Sequence, residues 1–135
     1  MTSEAKVRRG CVYLVNVDPD PYSGPGKRRP VLVVQNDLGN SEADTTIVVA
    51  LSSIVPARLY PFHVGLPAEI LGKPGIIMCE QVRTVSLDRI DPRALGECPS
   101  DVMERVADAL GRSLGLAEGL SSGRRPSARR ENENS

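Results

Sequence analysis

The chain has 135 residues, with 17 Lys and Arg against 17 Asp and Glu and a single His. That length allows one domain with a core large enough to fold without staples, and zero net charge argues against a protein that coats nucleic acid non-specifically. With no Trp and one Phe the core is aliphatic, and a stacking platform for bases is not encoded.

Residues 1–9 are polar and basic, without the apolar stretch of a signal peptide. Cys11 to Val17 reads as a strand. Pro19, Pro21, Gly24, Pro25 and Gly26 then mark a loop, which ends in Lys27-Arg28-Arg29-Pro30. Its glycines supply backbone freedom and its prolines remove it. Val31 to Val34 is an apolar run of strand length. Asn36, Asp37, Gly39 and Asn40 mark a turn. Thr45 to Leu51 is β-branched and strand-like, closing on Ser52-Ser53. A short strand is expected around Phe62-His63-Val64, and a longer one from Gly75 to about Val85.

The one clear helical pattern comes late, with Val102, Val106, Ala109, Leu110 and Leu114 recurring at helical spacing. Pro99 suits the first turn, Ser100 or Cys98 the cap, and Asp101 and Glu104 the positive end of the helix dipole. Gly115 marks a stop. Residues 121–135 lack apolar periodicity and read as a disordered tail behind a domain of residues 1–120. Several strands followed by one helix predict a mainly β fold with α: a small, strongly bent antiparallel sheet or barrel packed on a terminal helix.

Cys11, Cys79 and Cys98 form no CxxC pair, and no His stands at ligand spacing, so neither a metal site nor a disulfide framework is expected. Free thiols fit a cytoplasmic protein. No apolar run approaches ~18 residues, so no membrane span is expected.

Four strings then become informative together. They are Arg9-Gly10-Cys11-Val12-Tyr13, the run from Lys27 to Asp37, Cys79-Glu80-Gln81-Val82-Arg83-Thr84, and Ala109 to Leu116. In order and separation they resemble signature segments of the MazF/PemK toxins, over roughly residues 8–116. The resemblance implies an SH3-like antiparallel β-barrel with a C-terminal helix, forming a symmetric homodimer. It implies the toxin of a type II toxin–antitoxin system, a sequence-specific endoribonuclease that cuts single-stranded RNA without a cofactor. A cognate MazE-like antitoxin would silence it by laying an acidic segment over the RNA groove. The family's catalytic arginine, immediately before its proline, falls on Arg29. Its hydroxyl residue at the end of the third strand, usually Thr, falls on Ser52, with Ser53 one residue away.

The chemistry suits these side chains. Attack by the RNA's own 2′-hydroxyl requires proton removal, stabilisation of charge on phosphorus, and protonation of the leaving 5′-oxygen. A guanidinium is planar, always charged and able to hold two phosphate oxygens, which fits Arg29 to the second task and makes it a poor general base. Ser52 can donate one hydrogen bond to the phosphate, or it can merely cap a turn. Lys27 and Arg28 would add phosphate attraction. His63, the only histidine, is either a packing residue or a substrate contact, and its solitude excludes a two-histidine mechanism. Gln81 and Arg83, two apart on a strand, would present an amide and a cation to RNA, or a hydrogen-bond network to a dimer interface. Two positions depart from the family: Gly24 stands where a loop Glu is usual, and Cys11 where an Asp is usual. The rival function is a non-enzymatic, CcdB-like gyrase poison of the same fold, which would not need Arg29 and Ser52.

Overall fold

The computed structural model describes residues 5–16 and 27–116. The expected loop around Gly24, the end of the first strand at Val17 and the tail 121–135 lie outside the described residues. Among the described residues six strands form one antiparallel sheet: β1 (Cys11–Asn16), β2 (Arg28–Val33), β3 (Thr45–Ser52), β4 (His63–Leu66), β5 (Gly75–Ser86) and β6 (Gly96–Glu97), in the order β4-β5-β3-β2-β1-β6. Among the same residues three α-helices, α1 (Asp37–Glu42), α2 (Ala68–Leu71) and α3 (Ser100–Ser113), and a 3-10 turn at Leu87–Arg89 accompany them. The mainly β fold with a C-terminal helix is therefore the observed one.

Both faces of the sheet bury apolar side chains, which explains why the strands read as nearly continuous apolar runs. Val12, Leu32, Val49, Ile77 and Cys79 face α3 and pack on Val102, Val106 and Ala109. Cys11, Tyr13, Val15, Val31, Val33 and Val48 face the other way, around Val7 and Ile90. Leu32 and Ile77 are fully buried, and burying such a side chain stabilises by about 1.5–3 kcal/mol. The sheet curls until its edges approach: Val15 bridges to Ile90, and α2, which follows edge strand β4, reaches edge strand β6. A Cβ on Gly96 would sit 3.0 Å from Ile70 Cγ2, so this approach relies on a glycine.

Several local features differ from the sequence reading. The N-cap of α3 is Pro99, without a side-chain cap bond, rather than Ser100 or Cys98, and neither α2 nor β6 was expected. The Asn36–Asn40 turn is the start of α1, because the Asn36 side chain accepts from Gly39 N at 2.8 Å and caps a helical turn. Arg28 to Pro30 belong to β2 rather than to a loop, because β1 pairs them as far as Asn16↔Arg28. Pro30 is tolerated there since β3 pairs β2 only from Val31 onward. β5 is not regular: Val49 pairs with Val82 but Ala50 with Met78, so Cys79 to Gln81 bulge out of the β3 ladder. Helix α3 ends at Ser113 with Leu114 as its cap, and the expected stop residue Gly115 (φ 74°) follows, where Leu116 N donates to Gly111 O and Gly115 N to Arg112 O, a Schellman closure. Among the described residues no helix is long and apolar enough to cross a membrane.

Candidate nucleic-acid interface

Arg29 stands opposite Val15 in the β1–β2 ladder. Alternation along β2 gives it the face of Val31 and Val33, and gives Arg28 the opposite face. Because β3 joins β2 only at Val31, the start of β2 and the end of β3 part and leave a groove of about 320 Å³. Arg29, Gln81 and Arg83 line it, with Val31, Val48 and Val85 among its apolar residues. It opens on the side of the sheet away from α3. Gln81 and Arg83 reach it together because the bulge ends just before β5 rejoins β3. All three side chains are solvent-facing, and among the described residues none has a hydrogen-bond or ion-pair partner. The described lining contains no carboxylate. Two guanidinium groups without partners among the described residues, beside an apolar floor, can attract an anion, since a poorly hydrated wall weakens dielectric screening.

Ser52 ends β3 opposite Ile76, on the same face as the groove residue Ala50. Its hydroxyl is engaged in a turn: Oγ donates to Ile54 O at 3.1 Å and accepts from Ile54 N at 3.0 Å. To donate to a phosphate it must release Ile54 O. Ser53 is exposed just past the strand. Lys27 is exposed immediately before β2 and has no partner among the described residues.

The remaining cationic candidates are placed elsewhere. His63 lies at the start of β4, its side chain 5% exposed, beside a separate cavity between β4 and α3 that Glu104 and Asp108 also line. Its Nδ1 accepts from Tyr60 N at 3.1 Å, so in the neutral ring Nε2 carries the proton and donates to Glu80 at 3.3 Å. Phe62 and Tyr60 meet the imidazole edge-on, and Tyr60 stacks on Phe62. Arg28 forms an ion pair with Asp91 at 2.6 Å.

Asp91 is the residue that sequence reading missed. Its carboxylate also accepts from Arg93 Nη2 at 2.8 Å, Arg93 Nε at 3.1 Å and Arg93 N at 3.0 Å. The Arg93 side chain, the Arg93 amide and Arg28 together hold this carboxyl well below the usual carboxylate range. The signal was present in Asp91-Pro92-Arg93, since an Asp that accepts from the amide two residues on forms an Asx turn.

The cysteines offer no nucleophile. All three are buried. Burial pushes the Cys79 thiol up to about 12 and the Cys98 thiol up to about 11, so neither is a thiolate near neutrality. Among the described residues no group of three or more His, Cys, Asp and Glu is arranged to hold a metal ion.

A family model described as PemK-like, MazF-like toxin of type II toxin-antitoxin system matches residues 8–114. The chain is 35% identical over 114 residues to endoribonuclease EndoA of Bacillus subtilis (strain 168), covering 83% of this chain and 97% of that protein. The MazE-MazF (Form-II) structure from Deinococcus radiodurans aligns with a TM-score of 0.71 at 28% identity, over 84% of this chain and all of that one. An endoribonuclease in complex with its cognate antitoxin from Mycobacterial species aligns with a TM-score of 0.66 at 27% identity, covering 82% and 96% of the two chains. The match spans the sheet, the arginine-lined groove and α3, and the chain belongs to the PemK-like, MazF-like toxins of type II toxin–antitoxin systems.

Proposed function

We propose that this toxin is an endoribonuclease that binds single-stranded RNA in the groove of Arg29, Gln81 and Arg83 and cuts it by attack of the RNA's own 2′-hydroxyl. The observation that carries this reading is the pair of unpaired guanidinium groups on one apolar-floored groove, in a chain 35% identical to an endoribonuclease. The 2′-oxygen bonds to phosphorus as the bond to the 5′-oxygen breaks. The products are a 2′,3′-cyclic phosphate, or its 3′-phosphate hydrolysate, and a 5′-hydroxyl. Arg29 stabilises the negative charge that develops on the phosphoryl oxygens and donates toward the leaving oxygen. Arg83 holds a phosphate, Gln81 meets a base edge, and Lys27 adds attraction at the groove mouth. Ser52 orients the scissile phosphate after exchanging its bond to Ile54 O. No carboxylate or imidazole lines the groove among the described residues; solvent water at the groove mouth takes the 2′-proton and returns a proton to the leaving 5′-oxygen, toward which Arg29 donates.

The same groove supports an antitoxin partner. An acidic peptide segment matches its free cations, and a related endoribonuclease is known in complex with its cognate antitoxin. We place the active form as a homodimer, with apolar surface to cover: Ile54, Val55 and Leu59 on the β3–β4 connection are more than half exposed. The test is to incubate purified protein with a long single-stranded RNA in EDTA and map the cut ends. Cyclic or 3′-phosphate ends paired with 5′-hydroxyl ends are expected. Uncut RNA together with trapped gyrase would move the chain to the CcdB-like class.

A further inference from the structure

Arg28 and Arg29 are chemically identical neighbours at the start of β2, and a strand's alternation lets only one of them face the groove. A one-residue slip of β2 against β1 would exchange them. The buried Val31–Val33 segment, paired with β3, holds the rest of β2; at its first residues, which β3 does not pair, a further hold sits on the far face of the sheet. Asp91 accepts from Arg28 Nη2 at 2.6 Å, while two Arg93 nitrogens of the side chain and the Arg93 amide fill its remaining acceptor directions. The carboxylate is itself anchored to the strand beside β2, because Asp91 N donates to Leu14 O at 3.0 Å and Ile90 bridges to Val15. Val15 is the residue that pairs with Arg29. The clamp thus ties the first residue of β2 to β1 on the face opposite the groove, one residue from the guanidinium that meets the phosphate.

We infer that Asp91 is a positioning residue for cleavage: by holding Arg28 it fixes the register of β2 and so presents Arg29, rather than Arg28, to the scissile phosphate. The inference rests on the ribonuclease reading above. It also gives Arg28 a role other than RNA contact. With its carboxyl held well below the usual carboxylate range by Arg93 and Arg28, Asp91 keeps the clamp charged near neutral pH.

A double-mutant cycle tests it. The kcat and KM for RNA cleavage are measured for the wild type, Asp91→Asn, Arg28→Gln and the double variant, with thermal melting as the control for folding. Displacing a catalytic group by about 1 Å can cost up to ~10²-fold. Asp91→Asn is accordingly expected to lower kcat by about ten- to a hundredfold with KM within about twofold. Arg28→Gln should reproduce that loss, and the double variant should be no worse than either single one. Asp91→Glu, which keeps the charge, should recover part of the rate. The inference is overturned if Asp91→Asn leaves kcat unchanged, if the two losses multiply, or if Arg28→Gln raises KM alone, the mark of direct RNA contact. A wild-type protein that cuts no RNA would overturn the ribonuclease reading instead.

Discussion

The two arginines before Pro30 show how much a single strand position decides. Arg29 is exposed, unpaired among the described residues and on the groove; Arg28 is spent on Asp91. Composition cannot separate them, and the family register alone points to Arg29. Their membership in β2 was hidden, because a basic run ending in proline carries the signature of a loop. Ser52 presents a different ambiguity, since its hydroxyl already closes a turn with both polar groups of Ile54. Ser52→Ala should lower the single-turnover cleavage rate by about 10²-fold, the effect of losing one pre-placed donor. Ser53→Ala should leave it within twofold, or about that. A Ser52→Ala enzyme that melts earlier but cuts at full rate would assign the hydroxyl to the turn alone.

Among the elements, α1 carries the clearest case of polar burial. Asn40 is 2% exposed; its Oδ1 accepts from Thr46 Oγ1 at 2.7 Å and Gln35 Nε2 at 3.0 Å, and its Nδ2 donates to Gln35 O at 3.0 Å. This network fastens the β2–α1–β3 connection, and so the spacing of the strands beside the groove. Asn40→Ala strands the buried Thr46 hydroxyl and should cost about 1–3 kcal/mol, read from the midpoint of urea unfolding. A change below about 0.5 kcal/mol would show that water replaces the amide. Strands β1 to β5 and α3 were legible in the sequence because apolar periodicity is a property of the whole run; the two-residue β6 was not. The six-residue α1 and the four-residue α2 were not, being too short for any period to establish itself. The bulge in β5 was equally hidden, since nothing local in Cys79-Glu80-Gln81 announces that β3 skips three residues there. Yet that bulge is what sets Gln81 and Arg83 beside Arg29.

At the scale of the whole molecule, neutrality conceals a division of surfaces. The groove lining presents guanidinium groups that are free among the described residues, without a described carboxylate, while α3 carries Asp101 and Glu104 on the opposite side of the sheet. RNA binding should therefore weaken with salt despite zero net charge. Arg83→Gln should weaken binding and flatten the slope of log Kd against log salt by about 0.7, the share of one phosphate contact on a single strand. An unchanged slope would remove Arg83 from the phosphate path. Under the proposed function, the same electrostatics would draw an acidic antitoxin segment into the groove.

All of these expectations converge on the guanidinium of Arg29. The most direct measurement is the single-turnover cleavage rate of Arg29→Ala on a single-stranded RNA at saturating protein, with melting temperature and RNA affinity recorded beside it. A loss of at least ~10²–10³-fold in rate, in a folded protein that still binds RNA, is predicted for a group that stabilises charge in the transition state. Cleavage at the wild-type rate would contradict the assignment.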